Sequence, residues 1–205
     1  MAAAMTHKVA MFDLGGVVVD VESDRLIHHV SQVVGRSYDD VHEVVYNADQ
    51  LLPLERGQLS PHQYYLYLKE RLNLTWTYDQ FVRSWNDIMR EKKDVTAIIR
   101  RLKGRVRLMV LSNTNVLHLE YIRQLVPVLN SFEHVIGSYE VGVCKPDPEI
   151  YKIAVDRAQV DAAQVVYIDD RPEMVAGGQR AGLHAIRFEN SQQLEKELRS
   201  LSILE

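Results

Sequence analysis

The sequence predicts an α/β fold: a doubly wound, mostly parallel sheet with an inserted helical cap. Three observations carry that prediction. Short apolar runs rich in Val and Ile recur at residues 9–12 (VAMF), 106–111 (VRLMVL) and 165–168 (VVYI). Amphipathic helical stretches alternate with the later runs. Finally, 99 positions separate Asp13, at the end of the first run, from Ser112, at the end of the second, far more than a crossover helix requires.

Each run is too short for a buried helix and suits a strand covered on both faces. A weaker run at 184–188 (HAIRF) and the pair Val135-Ile136 extend the set. Helices are expected at 94–103, before the second run, and at 115–126, after it. Asp147-Pro148 opens another, with an N-cap residue followed by Pro at the first helical position, and Pro172 does the same after the third run. The long segment between the first two strands reads as wholly helical. Ser60-Pro61-His62-Gln63 and Thr77-Tyr78-Asp79-Gln80 match capping boxes. Tyr64, Tyr65, Tyr67, Trp76, Phe81 and Trp85 supply apolar faces for a small core. Residues 1–19 and 91–205 are therefore assigned to the sheet domain, and residues 20–90 to a helical cap over the carboxyl ends of the strands, where open α/β sheets bind ligands.

Composition narrows the function. Of 205 residues, 24 are Lys or Arg and 28 are Asp or Glu, for a formal net charge of −4; 46% are apolar. A mildly acidic chain lacks the basic face that nucleic-acid binding requires. No apolar run approaches the length of a membrane span, and residues 1–8 lack a secretory apolar stretch. Met1-Ala2-Ala3-Ala4-Met5 reads as an alternative start or a cloning remnant. Cys144 is the single cysteine, so no intrachain disulfide forms. These features point to a cytoplasmic protein, monomeric or homodimeric.

Polar residues follow the apolar runs. Asp13 ends the first, Ser112-Asn113-Thr114-Asn115 the second, and Asp169-Asp170 the third, while Lys145 stands in the turn Cys144-Lys145-Pro146-Asp147-Pro148. A parallel sheet brings these positions to one rim. Carboxylates gathered there repel unless a cation neutralises them, and an all-oxygen set favours a hard ion such as Mg²⁺. Lysine, hydroxyl and helix amino termini suit an oxyanion. Together they describe phosphoryl transfer to a carboxylate nucleophile. Each residue also has a bland reading: Asp13 as a turn residue, Asp169-Asp170 as a helix-entry pair, Ser112 and Asn113 as turn formers, Lys145 as a surface lysine. Their ordered conjunction at strand ends outweighs those readings.

Phe12-Asp13-Leu14-Gly15-Gly16-Val17, Leu111-Ser112-Asn113-Thr114-Asn115, Lys145-Pro146 and Ile168-Asp169-Asp170 resemble the four ordered motifs of the haloacid dehalogenase superfamily. The helical insertion is similar to its small helical cap, and Leu54-Glu55-Arg56-Gly57-Gln58-Leu59-Ser60 to a recurrent cap sequence. Within the superfamily the pattern, including His118 after the second motif, is most similar to the bacterial α-D-glucose-1-phosphate phosphatases. The resemblance implies Asp13 as nucleophile, forming an aspartyl-phosphate. It implies a Mg²⁺ ion held by Asp13, the Gly15 carbonyl and Asp170, with Asp169 assisting through water or holding Lys145. It implies Ser112, Asn113 and Lys145 on the phosphate, and a small phosphate ester, such as an anomeric hexose phosphate, as substrate.

Gly15 departs from that pattern. Many relatives carry Asp two residues after the nucleophile as general acid and base, a role worth about 10²–10⁴-fold, and Gly cannot fill it. Asp20 and the cap histidines remain candidates for the role. Two other activities stay open: carbon–halogen hydrolysis, which needs neither acid nor metal, and non-catalytic binding of a phosphometabolite. Cys144 beside Lys145 reads as either a structural thiol or one of lowered pKa. Gly177-Gly178 inside a predicted helix implies close packing on the sheet.

Overall fold

The computed structural model describes residues 7–205; the segment Met1 to Met5 lies outside the described residues. Strand β1 (Val9–Phe12) is followed by β2 (Val19–Val21) and five helices, α1 (Ser23–Val34), α2 (Tyr38–Val45), α3 (Ala48–Glu55), α4 (Pro61–Leu72) and α5 (Tyr78–Asn86). The chain returns through β3 (Met89–Glu91), α6 (Lys93–Leu102) and β4 (Arg107–Ser112). It continues with α7 (Val116–Leu125), β5 (His134–Gly137), the short α8 (Ser138–Val141), α9 (Pro148–Ala158), β6 (Val165–Asp169), α10 (Pro172–Arg180), β7 (His184–Arg187) and α11 (Ser191–Ser200).

The main sheet has the order β5-β4-β1-β6-β7, with every pairing parallel. Alternation along β1 explains its burial on both faces. Ala10 and Phe12 join one core with Val95, Ile99 and Leu198, whereas Val9 and Met11 join another with Ile150, Tyr151 and Ala154. Helices thus cover both faces, as a doubly wound sheet requires. The paired glycines of α10 mark the closest approach. A Cβ on Gly177 would lie 2.6 Å from the Tyr151 hydroxyl, and one on Gly178 would lie 2.6 Å from Tyr167 Cδ1. Their cost to the helix is offset by this packing.

Helices α4 and α5 begin with the two predicted capping boxes, Ser60 with Gln63 and Thr77 with Gln80. Their aromatic faces meet: Trp85 stacks on Phe81 and lies 5.2 Å from Tyr64, centroid to centroid. The expectation of a wholly helical segment between the first two sheet strands needs correction. β2 and β3 pair antiparallel, with Val19 opposite Glu91 and Val21 opposite Met89, so a two-stranded ribbon joins the helical unit to the sheet domain. β2 starts on the last residue of the run Val17-Val18-Val19, but strands of three residues carry too little periodic signal to be read locally. Among the described residues no helix is long and apolar enough to cross a membrane.

Candidate active site

Sheet register builds the site. Phe12 pairs with Ile168, and the Asp13 amide donates to the Ile168 carbonyl at 2.9 Å. Asp13 and Asp169 therefore leave adjacent strands side by side. Ser112 ends β4 on the other flank of β1. Lys145, from the turn before α9, reaches in and is 3% exposed. Its Nζ lies 2.5 Å from Asp169 Oδ2 and 3.2 Å from Asp13 Oδ2.

Each carboxylate has a different set of partners. Asp13 Oδ1 accepts from the Leu14 amide at 2.7 Å. Asp169 is well partnered: Oδ2 takes Lys145 and the Tyr167 hydroxyl, and Oδ1 takes the Arg171 amide at 3.0 Å. Asp170 is the opposite case, because its Oδ1 is buried with no hydrogen-bond partner. One carboxylate oxygen from each of Asp13, Asp169 and Asp170 falls within 4.8 Å of the others. An orphaned buried carboxylate oxygen beside two more carboxylates fits a hard divalent cation. Of the two roles open to Asp169, its hydrogen bonds favour holding Lys145.

Burial sets the electrostatics. It pushes Asp13 up to about 6, against the opposing pull of Lys145 and with the help of Asp169. It also raises Asp170, assisted by the Asp169 charge. One lysine against three carboxylates leaves the cluster short of positive charge.

Asn113 also faces the lysine turn. Its side-chain Nδ2 donates to the Lys145 carbonyl at 2.9 Å, and its Oδ1 accepts the Lys145 amide at 2.7 Å. The side chain clamps the lysine turn, and Asn113 lines the larger cavity, with a second Nδ2 hydrogen beyond the one the clamp uses. Cys144 is buried beside this turn, and burial pushes its thiol up rather than down; the structural reading of this cysteine is the one its surroundings support.

Two cavities meet here. The larger, about 510 Å³, is lined by Asp13, Gly15, Ser112, Lys145, Asp170 and Arg171. The smaller, about 170 Å³, is walled by Leu14, Tyr46, Leu51, Trp85, Ile88 and Met89. Asp20 lines the first, but its exposed carboxylate is engaged by Lys92 at 2.9 Å. His118 lines the second and is bound through both ring nitrogens. Nε2 lies 3.1 Å from the Trp85 carbonyl, Nδ1 lies 3.3 Å from Asn115 Nδ2, and the ring stacks on Trp85. His28 and His29 line a separate cavity with Arg25.

Sequence reasoning assigned no role to Glu55, which lines both cavities. Burial raises its pKa, opposed by Arg171 and reinforced by Asp13. The backbone of Glu55 is fixed to the sheet domain through Ser138, whose hydroxyl donates to the Glu55 carbonyl at 2.6 Å and lies 3.1 Å from the Thr114 carbonyl. Two residues on, Gly57 has φ +67°, and a Cβ there would collide with the Tyr139 carbonyl. The segment Leu54 to Gly57 held the available signal: a carboxylate next to a glycine that the packing requires.

Known proteins share this architecture. The chain is 25% identical to a sesquiterpene phosphatase of Aspergillus oryzae over 204 residues, covering 96% of this chain and 97% of that one. It is 23% identical to a D-ribitol-5-phosphate phosphatase of Bacteroides thetaiotaomicron, covering 93% and 96%. A haloacid dehalogenase family enzyme of the same bacterium, solved with magnesium and inorganic phosphate, superposes with a TM-score of 0.82 at 23% identity, covering 92% of this chain and 98% of that one. A family profile described as haloacid dehalogenase-like hydrolase matches residues 7–182, and the chain belongs to that family.

Proposed function

We propose that this hydrolase is a Mg²⁺-dependent phosphatase of a small phosphomonoester, working through an aspartyl-phosphate on Asp13. The observation that carries the reading is the pairing of Asp13 with Lys145 beside the orphaned oxygen of Asp170. Asp13, Asp170 and the Gly15 carbonyl would hold the ion, with Asp169 holding the lysine. When bound, Mg²⁺ supplies charge neutralisation between the nucleophile and the dianionic ester. Lys145 keeps the attacking oxygen of Asp13 ionised and oriented despite its burial. Ser112 and Asn113 orient the phosphate. The helical unit closes the cavity from bulk water.

Two relatives support phosphate release: one is a phosphatase of ribitol 5-phosphate, the other of a sesquiterpene. The finer reading is a sugar phosphate, such as an anomeric hexose phosphate, in keeping with the resemblance to the α-D-glucose-1-phosphate phosphatases. A second reading is a more apolar alcohol, favoured by the aromatic and aliphatic walls of the smaller cavity. A cytoplasmic monomer or homodimer completes the proposal, in keeping with the free thiol of Cys144. The test is a phosphate-release screen of sugar phosphates, nucleotides, prenyl phosphates and an aryl phosphate, with and without Mg²⁺. Halide release from a 2-haloacid without phosphate release would overturn the reading in favour of dehalogenation. Ligand binding without turnover of any ester would favour a binding module.

A further inference from the structure

We propose that the Glu55 carboxyl is the general acid and base of the reaction, in the place left empty by Gly15. The proposal rests on the phosphatase reading above.

Its ground is position. The scissile bond of a phosphomonoester joins the phosphate to the organic group. With phosphate against Asp13, Ser112 and Lys145 in the larger cavity, and the organic group in the smaller one, the leaving oxygen lies where the two cavities join. Glu55 lines both. Outside the Asp13, Asp169, Asp170 and Lys145 cluster, the other described groups on these walls able to exchange a proton are Asp20, Tyr46 and His118. Each of these lines one cavity alone. Asp20 is engaged by Lys92, and both ring nitrogens of His118 are in use.

A second ground is rigidity. General acid catalysis needs a group held within hydrogen-bond reach of the departing oxygen. Glu55 ends helix α3, and its carbonyl is tied through the fully buried Ser138 hydroxyl to Thr114, two residues past Ser112. The close approach of Gly57 to Tyr139 fixes the turn that follows. The backbone that carries the carboxyl is therefore anchored to the loop that carries the phosphate-binding hydroxyl.

The charges around it suit both halves of the cycle. Asp13 on β1 favours the protonated form, while Arg171 and Lys145 favour the ionised one, and Cys144 and Arg56 lie nearby. In the first half, an Asp13 oxygen bonds to phosphorus as the bond from phosphorus to the ester oxygen breaks. That oxygen takes the Glu55 proton and leaves as an alcohol. In the second half, the Glu55 carboxylate takes a proton from water as the water oxygen bonds to phosphorus. The bond from Asp13 to phosphorus then breaks, which releases phosphate and restores the protonated carboxyl. With an acid present, the substrate need not be an anomeric ester.

The test compares Glu55→Gln and Glu55→Asp with the wild-type enzyme, loaded with Mg²⁺, on 4-nitrophenyl phosphate and on a hexose 6-phosphate. For Glu55→Gln, kcat/KM on the hexose phosphate should fall by about 10²–10⁴-fold. On 4-nitrophenyl phosphate, whose leaving group needs no proton, the nitrophenol burst should persist while phosphoenzyme accumulates in acid-quenched samples. The high-pH limb of the kcat/KM profile should vanish in Glu55→Gln and survive in Glu55→Asp. Both substrates are measured on one sample, so the ratio is independent of the folded fraction. An unchanged ratio with an unchanged pH profile would overturn the role of Glu55 and leave the phosphatase reading standing. Full turnover by Asp13→Asn, or no phosphate release by the wild type, would overturn both.

Discussion

Gly16 and Asp170 are packed so closely that a Cβ on the glycine would lie 2.6 Å from the carboxyl carbon of the aspartate. Gly16 also has φ +78°, in the left-handed region that other L-residues enter at a cost of about 1–2 kcal/mol. Gly16→Ala should therefore displace the Asp170 carboxylate from the cation site. Mg²⁺ affinity by calorimetry should fall at least about tenfold, which is about 1.4 kcal/mol. The melting temperature in EDTA should drop only by the backbone cost.

Asp13→Asn should cut phosphate release by at least about 10³-fold, as expected for loss of a nucleophile, and should also change stability. The folded-state value of about 6 lies above the ordinary 3.8. The folded chain then binds more protons than the unfolded chain between those values, so the ionised carboxylate lowers stability as pH rises through that window. Without metal at pH 8, the variant should be more stable than wild type by up to about 3 kcal/mol. Urea unfolding in EDTA reads the difference.

Mg²⁺ should reverse that penalty. EDTA should stop turnover and added Mg²⁺ should restore it. Saturating Mg²⁺ should stabilise the wild type as a ligand of the native state does, by about 2.7 kcal/mol at one hundred times its dissociation constant, read as a rise in melting temperature. Asp170→Asn should abolish most of this thermal shift.

His118 predicts an acid-side effect of opposite sign. Burial lowers its pKa from 6.5 to about 4. As pH falls, the unfolded chain takes up the proton first, so stability is complete above 6.5 and is lost between 6.5 and 4. The loss amounts to about 3 kcal/mol. His118→Gln should flatten this part of the pH dependence in chemical denaturation run from pH 7 to pH 4.

Gly178→Ala should destabilise by about 1–3 kcal/mol, the usual cost of overpacking. It should also weaken catalysis, because the Tyr167 ring it would press on carries the hydroxyl that holds Asp169. Gly104→Ala is the control: that glycine has φ +83° with no atom within 4 Å of an added Cβ, so it should lower stability alone.

The catalytic rim was readable from sequence because a parallel sheet converts strand order into proximity. Asp13, Ser112 and Asp169 each follow an apolar run, and their strands are neighbours. What escaped notice depends on contacts distant in sequence. The clamp of Asn113 on Lys145 links two loops 32 residues apart, and nothing in either loop marks it. The β2–β3 ribbon pairs residues near 20 with residues near 90, and each strand is three residues long. Glu55 closes a helix whose apolar face is weakly defined, with Pro53 inside it, so its side chain had no legible direction. Gly177-Gly178 stood out as an anomaly but became intelligible only with Tyr151 and Tyr167 beside it.

Beyond the β2–β3 ribbon that joins them, two polar contacts pin the helical unit to the sheet domain: the Ser138 hydroxyl on the Glu55 carbonyl, where Gly57 also packs on Tyr139, and His118 against the carbonyl and ring of Trp85. Two such pins on a rigid body favour rotation about the line through both. Substrate entry by such a swing would leave Glu55 and Trp85 almost stationary on the axle, while α1 and α2, farther out, travel most.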